Sequence, residues 1–287
     1  MTARQPSLSR RSAVIAAALL CTVSLALGAH AALNKRSIDG GKADAVEQGA
    51  MSAGTGARLA LVIGNGHYPD ANAPLAQPIN DARALTGALR RDGFDVDIVE
   101  DARKDDISRA IERLKSRIKP DSVVMLFFGG FAIQSGRESY MIPVDAKIWR
   151  ESDVRREGTS VERVLDAVRE QGARAKLVVI DASRRNPYER RFRSYSHGLA
   201  PITAPANALI LSSATPGQVL DDPKDQANSV LVSELLNQLG KSPSAEAVFN
   251  KTRNAIARSS DGEQVPSVSS SLVEDIRLST DVANAGS

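Results

Sequence analysis

At 287 residues, the chain is long enough to bury a sizeable core, as one large α/β domain or two small ones. Its 37 Lys and Arg against 34 Asp and Glu give a formal charge of +3, but residues 1–31 hold three Arg and no acid, leaving the rest neutral at 34 against 34. The one cysteine, Cys21, lies in that same segment. The remainder therefore excludes disulfides, thiolate metal sites and a cysteine nucleophile, and a nucleic-acid partner loses the cationic surface it needs.

Arg4, Arg10 and Arg11 precede an apolar run from Ala13 to Leu27, and Ala29-His30-Ala31 supplies a small-x-small pattern. Residues 1–31 thus read as a secretory signal cut after Ala31, which predicts an exported protein, periplasmic or secreted. Ser9-Arg10-Arg11 also permits a twin-arginine route. The run is short for a spanning helix, and an uncleaved anchor is the one alternative that would give the protein a membrane partner. Cys21 is a poor lipidation site, because Ala18-Leu19-Leu20 precede it and the apolar run continues beyond it. Residues 32–56 are small, polar and Gly-rich and read as a flexible linker. An ordered domain over 57–278 and a disordered tail over 279–287 complete the expected organisation.

Leu59 to Ile63 reads as a buried strand that exits through Gly64-Asn65-Gly66-His67-Tyr68. Asn80-Asp81 then predicts the cap of an amphipathic helix near Asp81–Arg91, stopped by Gly93. Phe94 to Val99 alternates like an edge strand. Ile107, Ile111, Leu114 and Ile118 share one face of a helix closed by Pro120. Ser122 to Phe128 is the next buried strand, ending in Gly129-Gly130, and Tyr140 to Asp145 is a short extended piece. A helix carries Val161, Val164, Leu165 and Val168. Further on come a long basic loop (Arg184 to Gly198), a short strand at Ala208–Leu211, helices near Ser229–Leu239 and Ala245–Ile256, and a last strand within Ser271–Leu278. Strands alternating with helices at this spacing predict a mostly parallel α/β sheet of about six strands, wrapped by helices.

The chain is organised around Lys176-Leu177-Val178-Val179-Ile180-Asp181-Ala182-Ser183-Arg184-Arg185-Asn186-Pro187. Its apolar run reads as a strand buried on both faces. Its polar end falls where open α/β sheets place their binding sites, although a capping Ser at an ordinary strand exit gives the same pattern. No cofactor is expected: Gly64-x-Gly66 lacks the third glycine of a dinucleotide loop, and neither a Walker-type loop nor a paired-His metal motif is present.

With the stretches Leu61-Val62-Ile63-Gly64-Asn65, Pro78-Ile79-Asn80-Asp81-Ala82, Gly93-Phe94-Asp95-Val96, Tyr140 to Ala146, Asp181 to Pro187, Gly198-Leu199-Ala200 and Ala214 to Val219, the chain resembles the caspase-like peptidases of the bacterial metacaspase and paracaspase type. The resemblance implies a three-layer caspase-like sandwich. It also implies a cysteine–histidine dyad, and both positions differ here. Phe131, in Phe128-Gly129-Gly130-Phe131, stands where the family's His belongs, and Ser183, in Asp181-Ala182-Ser183, stands where its Cys belongs. A serine hydroxyl needs an adjacent base to attack, and a phenyl ring accepts no proton. By analogy with triad deletions, losing one such member removes roughly 10⁴- to 10⁶-fold of rate.

Two residues offer a substitute base, His67 on the first strand's exit loop and His197 in the basic loop. An active hydrolase pairing Ser183 with His67 is therefore the alternative to a pseudopeptidase. The resemblance further implies that Asp81 and Asp181 line a pocket for a basic side chain, which makes a peptide or protein with basic side chains the expected partner. Capping roles for both acids are compatible with that. Arg184-Arg185 and Glu189 to Arg193 form a cationic loop suited to an acidic partner, to membrane head groups or simply to solvent. Trp149 reads as a surface or core packing residue rather than a cofactor platform.

Overall fold

A computed structural model describes residues 56–69, 74–192, 198–220, 225–242 and 244–278. The expected signal, all of the linker but Gly56, His197 and the tail 279–287 lie outside the described residues. In chain order the elements are β1 (Arg58–Gly64), α1 (Gln77–Arg91), β2 (Asp95–Glu100), α2 (Lys104–Arg117), β3 (Val123–Gly129), β4 (Ala132–Ser135), β5 (Glu138–Met141), α3 (Glu151–Glu157), β6 (Thr159–Ser160), α4 (Val161–Glu170), β7 (Ala175–Asp181), a 3₁₀ turn (Glu189–Arg191), β8 (Ala208–Ser212), α5 (Val230–Gln238), α6 (Ala245–Ser259) and β9 (Ser267–Ser270).

Six strands form one sheet in the order β2-β1-β3-β7-β8-β9. Every pair is parallel except β8–β9. The apolar runs of β1, β3 and β7 send alternate side chains to opposite faces, so each strand feeds two cores. One core sets Leu61, Ile63, Leu126, Phe128, Val178 and Ile180 against α2 and α4. The other sets Val62, Met125, Phe127, Leu177 and Val179 against α1, α5 and α6. This is the helix–sheet–helix sandwich that the resemblance implies.

The sheet's edges show how polar residues do fold-level work. On edge strand β2, Asp97 pairs with Arg113 at 2.8 Å, Glu100 with Arg83 at 2.6 Å, and Asp95 with Arg117. Charges along an edge oppose pairing with another chain. At the start of β1, the Arg58 guanidinium lies 4.4 Å from the Phe94 ring centroid. It donates to the carbonyls of Arg277, at 3.1 Å, and Leu278, so the domain's first strand grips its last residues.

Several expectations need correction. The first helix begins at Gln77, with Pro78 in its opening turn, where a missing N–H costs nothing. Asp81 therefore lies inside α1 and is not its cap. Instead, its Oδ1 accepts the Ser229 N–H at 3.0 Å, at the head of α5. The last strand is β9, upstream of the expected span, because Ser267 to Ser270 pair with β8 and Ser271 then turns its hydroxyl back to the Ala208 and Pro205 carbonyls. A Ser-Val-Ser-Ser strand offers no apolar run to find it by. Tyr140 belongs to a separate three-stranded sheet, β4-β5-β6. Short α3 follows it, and the sequence reading anticipated neither β4, β6 nor α3.

Candidate functional site

The order β2-β1-β3 means that the chain leaves β1 in one direction, through α1, and returns to β1's other side, through α2. This reversal opens a crevice outside the carboxyl ends of β1 and β3, the position where doubly wound sheets bind ligands. In this chain Tyr68, from the β1 exit, and Phe131, from the β3 exit, meet there edge-to-face with centroids 4.8 Å apart.

Backbone geometry forces that meeting. A Cβ on Gly130 would come within 2.5 Å of the Tyr68 hydroxyl oxygen, so only glycine lets the β3 exit pass the phenol. The Tyr68 hydroxyl accepts the Phe131 N–H at 3.0 Å and donates to the Ile142 carbonyl at 3.1 Å. The Ile142 N–H in turn reaches the Phe131 carbonyl at 3.0 Å. Ile133, Tyr140, Ile148 and Tyr188 complete the apolar cluster around the two rings. Burial pushes the Tyr68 phenol up, well out of the range in which it could act as a base.

β3 and β7 run in register, with Gly129 opposite Asp181. Phe131 and Ser183 each lie two residues beyond that pair, so the structure brings the two expected site positions to adjacent strand ends. Both are buried, Phe131 at 7 % and Ser183 at 3 % exposure. The Ser183 N–H donates to Ser213 Oγ at 3.4 Å, and its carbonyl accepts from Leu220 at 2.7 Å. Between the strand ends, the Arg184 guanidinium donates to the Gly130 carbonyl at 3.2 Å and to the Asp181 carbonyl. The sequence reading placed Arg184 in a surface loop, whereas it is a buried staple across the β3 and β7 exits.

His67 is held elsewhere. Its Nδ1 lies 2.5 Å from Asp101 Oδ2, just after β2, and its side chain is 70 % exposed. Asp101 Oδ1 fixes the same loop by accepting the Gly66 and His67 N–H groups, both at 2.9 Å. The imidazole thus engages the β2 side of β1, while β7 lies on the far side of β3, about 10 Å across the sheet at ordinary strand spacing.

Asp81 and Asp181 are both buried. Asp81 Oδ1 accepts from Asn228 Nδ2 at 2.8 Å as well as from Ser229. Asp181 Oδ1 lies 3.8 Å from Arg184 Nη1. The Oδ2 atom of each is buried with no hydrogen-bond partner among the described residues. Burial first, and the Asp181 charge second, push the Asp81 carboxyl up to about 7, against the pull of its bonds to Asn228 and Ser229. Two buried carboxylates that feel each other, each with an unused oxygen, are chemically suited to a guanidinium or ammonium. Among the described residues, no group of three or more His, Cys, Asp or Glu is arranged to hold a metal.

No curated protein matches the chain. A family model described as the caspase domain, peptidase family C14, matches residues 57–277, which span the whole sheet and both helical layers. With more than three quarters of its length covered by that match, the chain belongs to the caspase-domain family.

Proposed function

We propose that this protein is an exported caspase-fold pseudopeptidase, which holds a peptide or protein segment by a basic side chain between Asp81 and Asp181 and does not cleave it. The observation that carries the reading is Phe131. At the strand end beside Ser183, where the family's imidazole base would stand, there is a phenyl ring packed on Tyr68, and a phenyl ring accepts no proton. The unused Oδ2 atoms of Asp81 and Asp181 support the binding half of the proposal. No observation favours the Ser183–His67 hydrolase, since His67 engages Asp101 on the β2 side of β1, whereas Ser183 follows β7 beyond β3. Export rests on the apolar run at Ala13–Leu27 and the Ala29-His30-Ala31 pattern.

The test is to restore the dyad with Phe131→His and Ser183→Cys and assay both proteins on Arg- and Lys-ending peptide reporters. The wild type is expected to be silent and the double variant to cleave. Cleavage by the wild type overturns the pseudopeptidase reading. If the double variant is folded yet silent, the basic-side-chain pocket is abandoned. N-terminal sequencing of the protein from its producing cells checks export, with residue 32 expected first.

A further inference from the structure

Trp149 is one of two large apolar side chains exposed among the described residues, at 68 %, and is the chain's single tryptophan. It is not loose. Its N–H and that of Arg150 both donate to buried Asp153 Oδ2, at 3.1 and 3.2 Å, which fixes the backbone beneath it. The Arg191 guanidinium sits 4.6 Å above the indole and 5.4 Å from the Tyr188 ring. Arg191 Nη1 donates to the Ile148 carbonyl at 2.7 Å. A cation so held between two rings and a carbonyl is pre-organised, and its remaining N–H groups are available to an acceptor.

The surroundings set the sign of that acceptor. Residues 147–156 and 185–192 together hold seven Lys or Arg (Lys147, Arg150, Arg155, Arg156, Arg185, Arg190 and Arg191) against three acids (Glu151, Asp153 and Glu189). Asp153 is buried and consumed by its bonds to the 149 and 150 N–H groups and to Arg156. Exposed Lys147 and Arg190 form no ion pair among the described residues. Arg150 and Arg185 are 76 % exposed, with acid contacts only at 3.6 and 3.8 Å. Neutrality of the chain beyond residue 31 makes this local excess more notable, because acids elsewhere must offset it.

We propose that Trp149, Arg191, Lys147, Arg150, Arg185 and Arg190 form a docking surface for an acidic segment of a partner protein, with carboxylates on the cations and an apolar side chain on the indole. A lipid surface fits less well: within these two segments Trp149 is the one exposed large apolar side chain, too little area to anchor in head groups. The proposal does not depend on the Asp81–Asp181 pocket, whose expected ligand has the opposite charge.

Because Trp149 is the only tryptophan, its emission reads the surface directly. Titrating the protein with a synthetic Glu/Leu peptide should give a saturable blue shift, weakened by salt, and a Lys/Leu peptide should give none. Lys147→Gln with Arg190→Gln, at exposed and unpaired positions that leave the fold intact, should weaken binding at least about fivefold, and Arg191→Ala about tenfold. Asp81→Asn should leave the titration unchanged, which separates this proposal from the pocket. Absence of a saturable shift, or an undiminished one in the Lys147→Gln/Arg190→Gln variant, overturns the proposal. A shift with phosphatidylglycerol vesicles but not with the acidic peptide overturns it in favour of a lipid surface.

Discussion

The crevice at the carboxyl end of the sheet has two halves that solve burial differently. On the aromatic half, the Tyr68 hydroxyl, the Phe131 N–H and the Ile142 carbonyl and N–H all find partners, and the rings fill the remaining space. On the acidic half, Asp81 and Asp181 leave two buried oxygens unused and repel each other. The first arrangement stabilises the fold, whereas the second costs stability, since burial disfavours each carboxylate and the two charges disfavour each other. One half is thus built for packing, and the other retains charge that packing does not ask for. Capping α5 through Ser229 uses only one of the four carboxylate oxygens in question.

The largest way to break this contrast is Tyr68→Ala. It removes a buried ring, leaves Phe131 without its edge-to-face partner and strands the Phe131 N–H and Ile142 carbonyl. Urea denaturation should report a loss of about 3–5 kcal/mol. A loss below about 1 kcal/mol would show that the aromatic half is not the structural one.

Next in size is a pH effect from the acidic half. The Asp81 carboxyl is pushed up to about 7 in the fold and returns to about 3.9 when unfolded. The folded state therefore holds more protons than the unfolded state between those values, and stability falls as pH rises through that window. Denaturation from pH 4 to 8 should show a decline on the order of 2–4 kcal/mol. Asp81→Asn should flatten that decline and be the more stable protein at pH 8. An unchanged slope in Asp81→Asn would sink the assignment to this residue.

The smallest expected effect sharpens the contrast from outside the crevice. His67→Ala breaks an exposed pair with Asp101 and should cost less than about 1 kcal/mol. It should also leave peptide hydrolysis at its wild-type level, which is expected to be nil. A wild-type activity that disappears in His67→Ala would restore the serine-hydrolase reading.

Much of the fold was legible because parallel strands buried on both faces write themselves as apolar runs. Leu59–Ile63, Ser122–Phe128 and Leu177–Asp181 each appear within one or two residues of β1, β3 and β7. The hairpin of β4 and β5 was not legible, since its four-residue strands carry no sustained alternation. Nor was β9, whose serines pair through backbone alone. Around the candidate site, the sequence order named positions 131, 183, 81 and 181, and the fold brings the first two to adjacent strand ends and buries both acids. It could not supply the inward turn of Arg184 or the loan of Asp81 to α5, because both depend on partners 54 and 148 residues distant. Trp149 is a surface residue, one of the two readings open from the sequence, and the guanidinium lying on it is a detail that a lone indole in a sequence does not announce.

The grip of Arg58 on the carbonyls of residues 277 and 278 has a temporal side. The arginine precedes its acceptors by more than two hundred residues, so in whichever compartment the domain folds, this clamp closes only once nearly the whole domain is present. Until then β1 lacks its bond to residues 277 and 278, and stop codons or proteolysis a few residues short of Arg277 leave the Arg58 guanidinium beside Phe94 without those two acceptors.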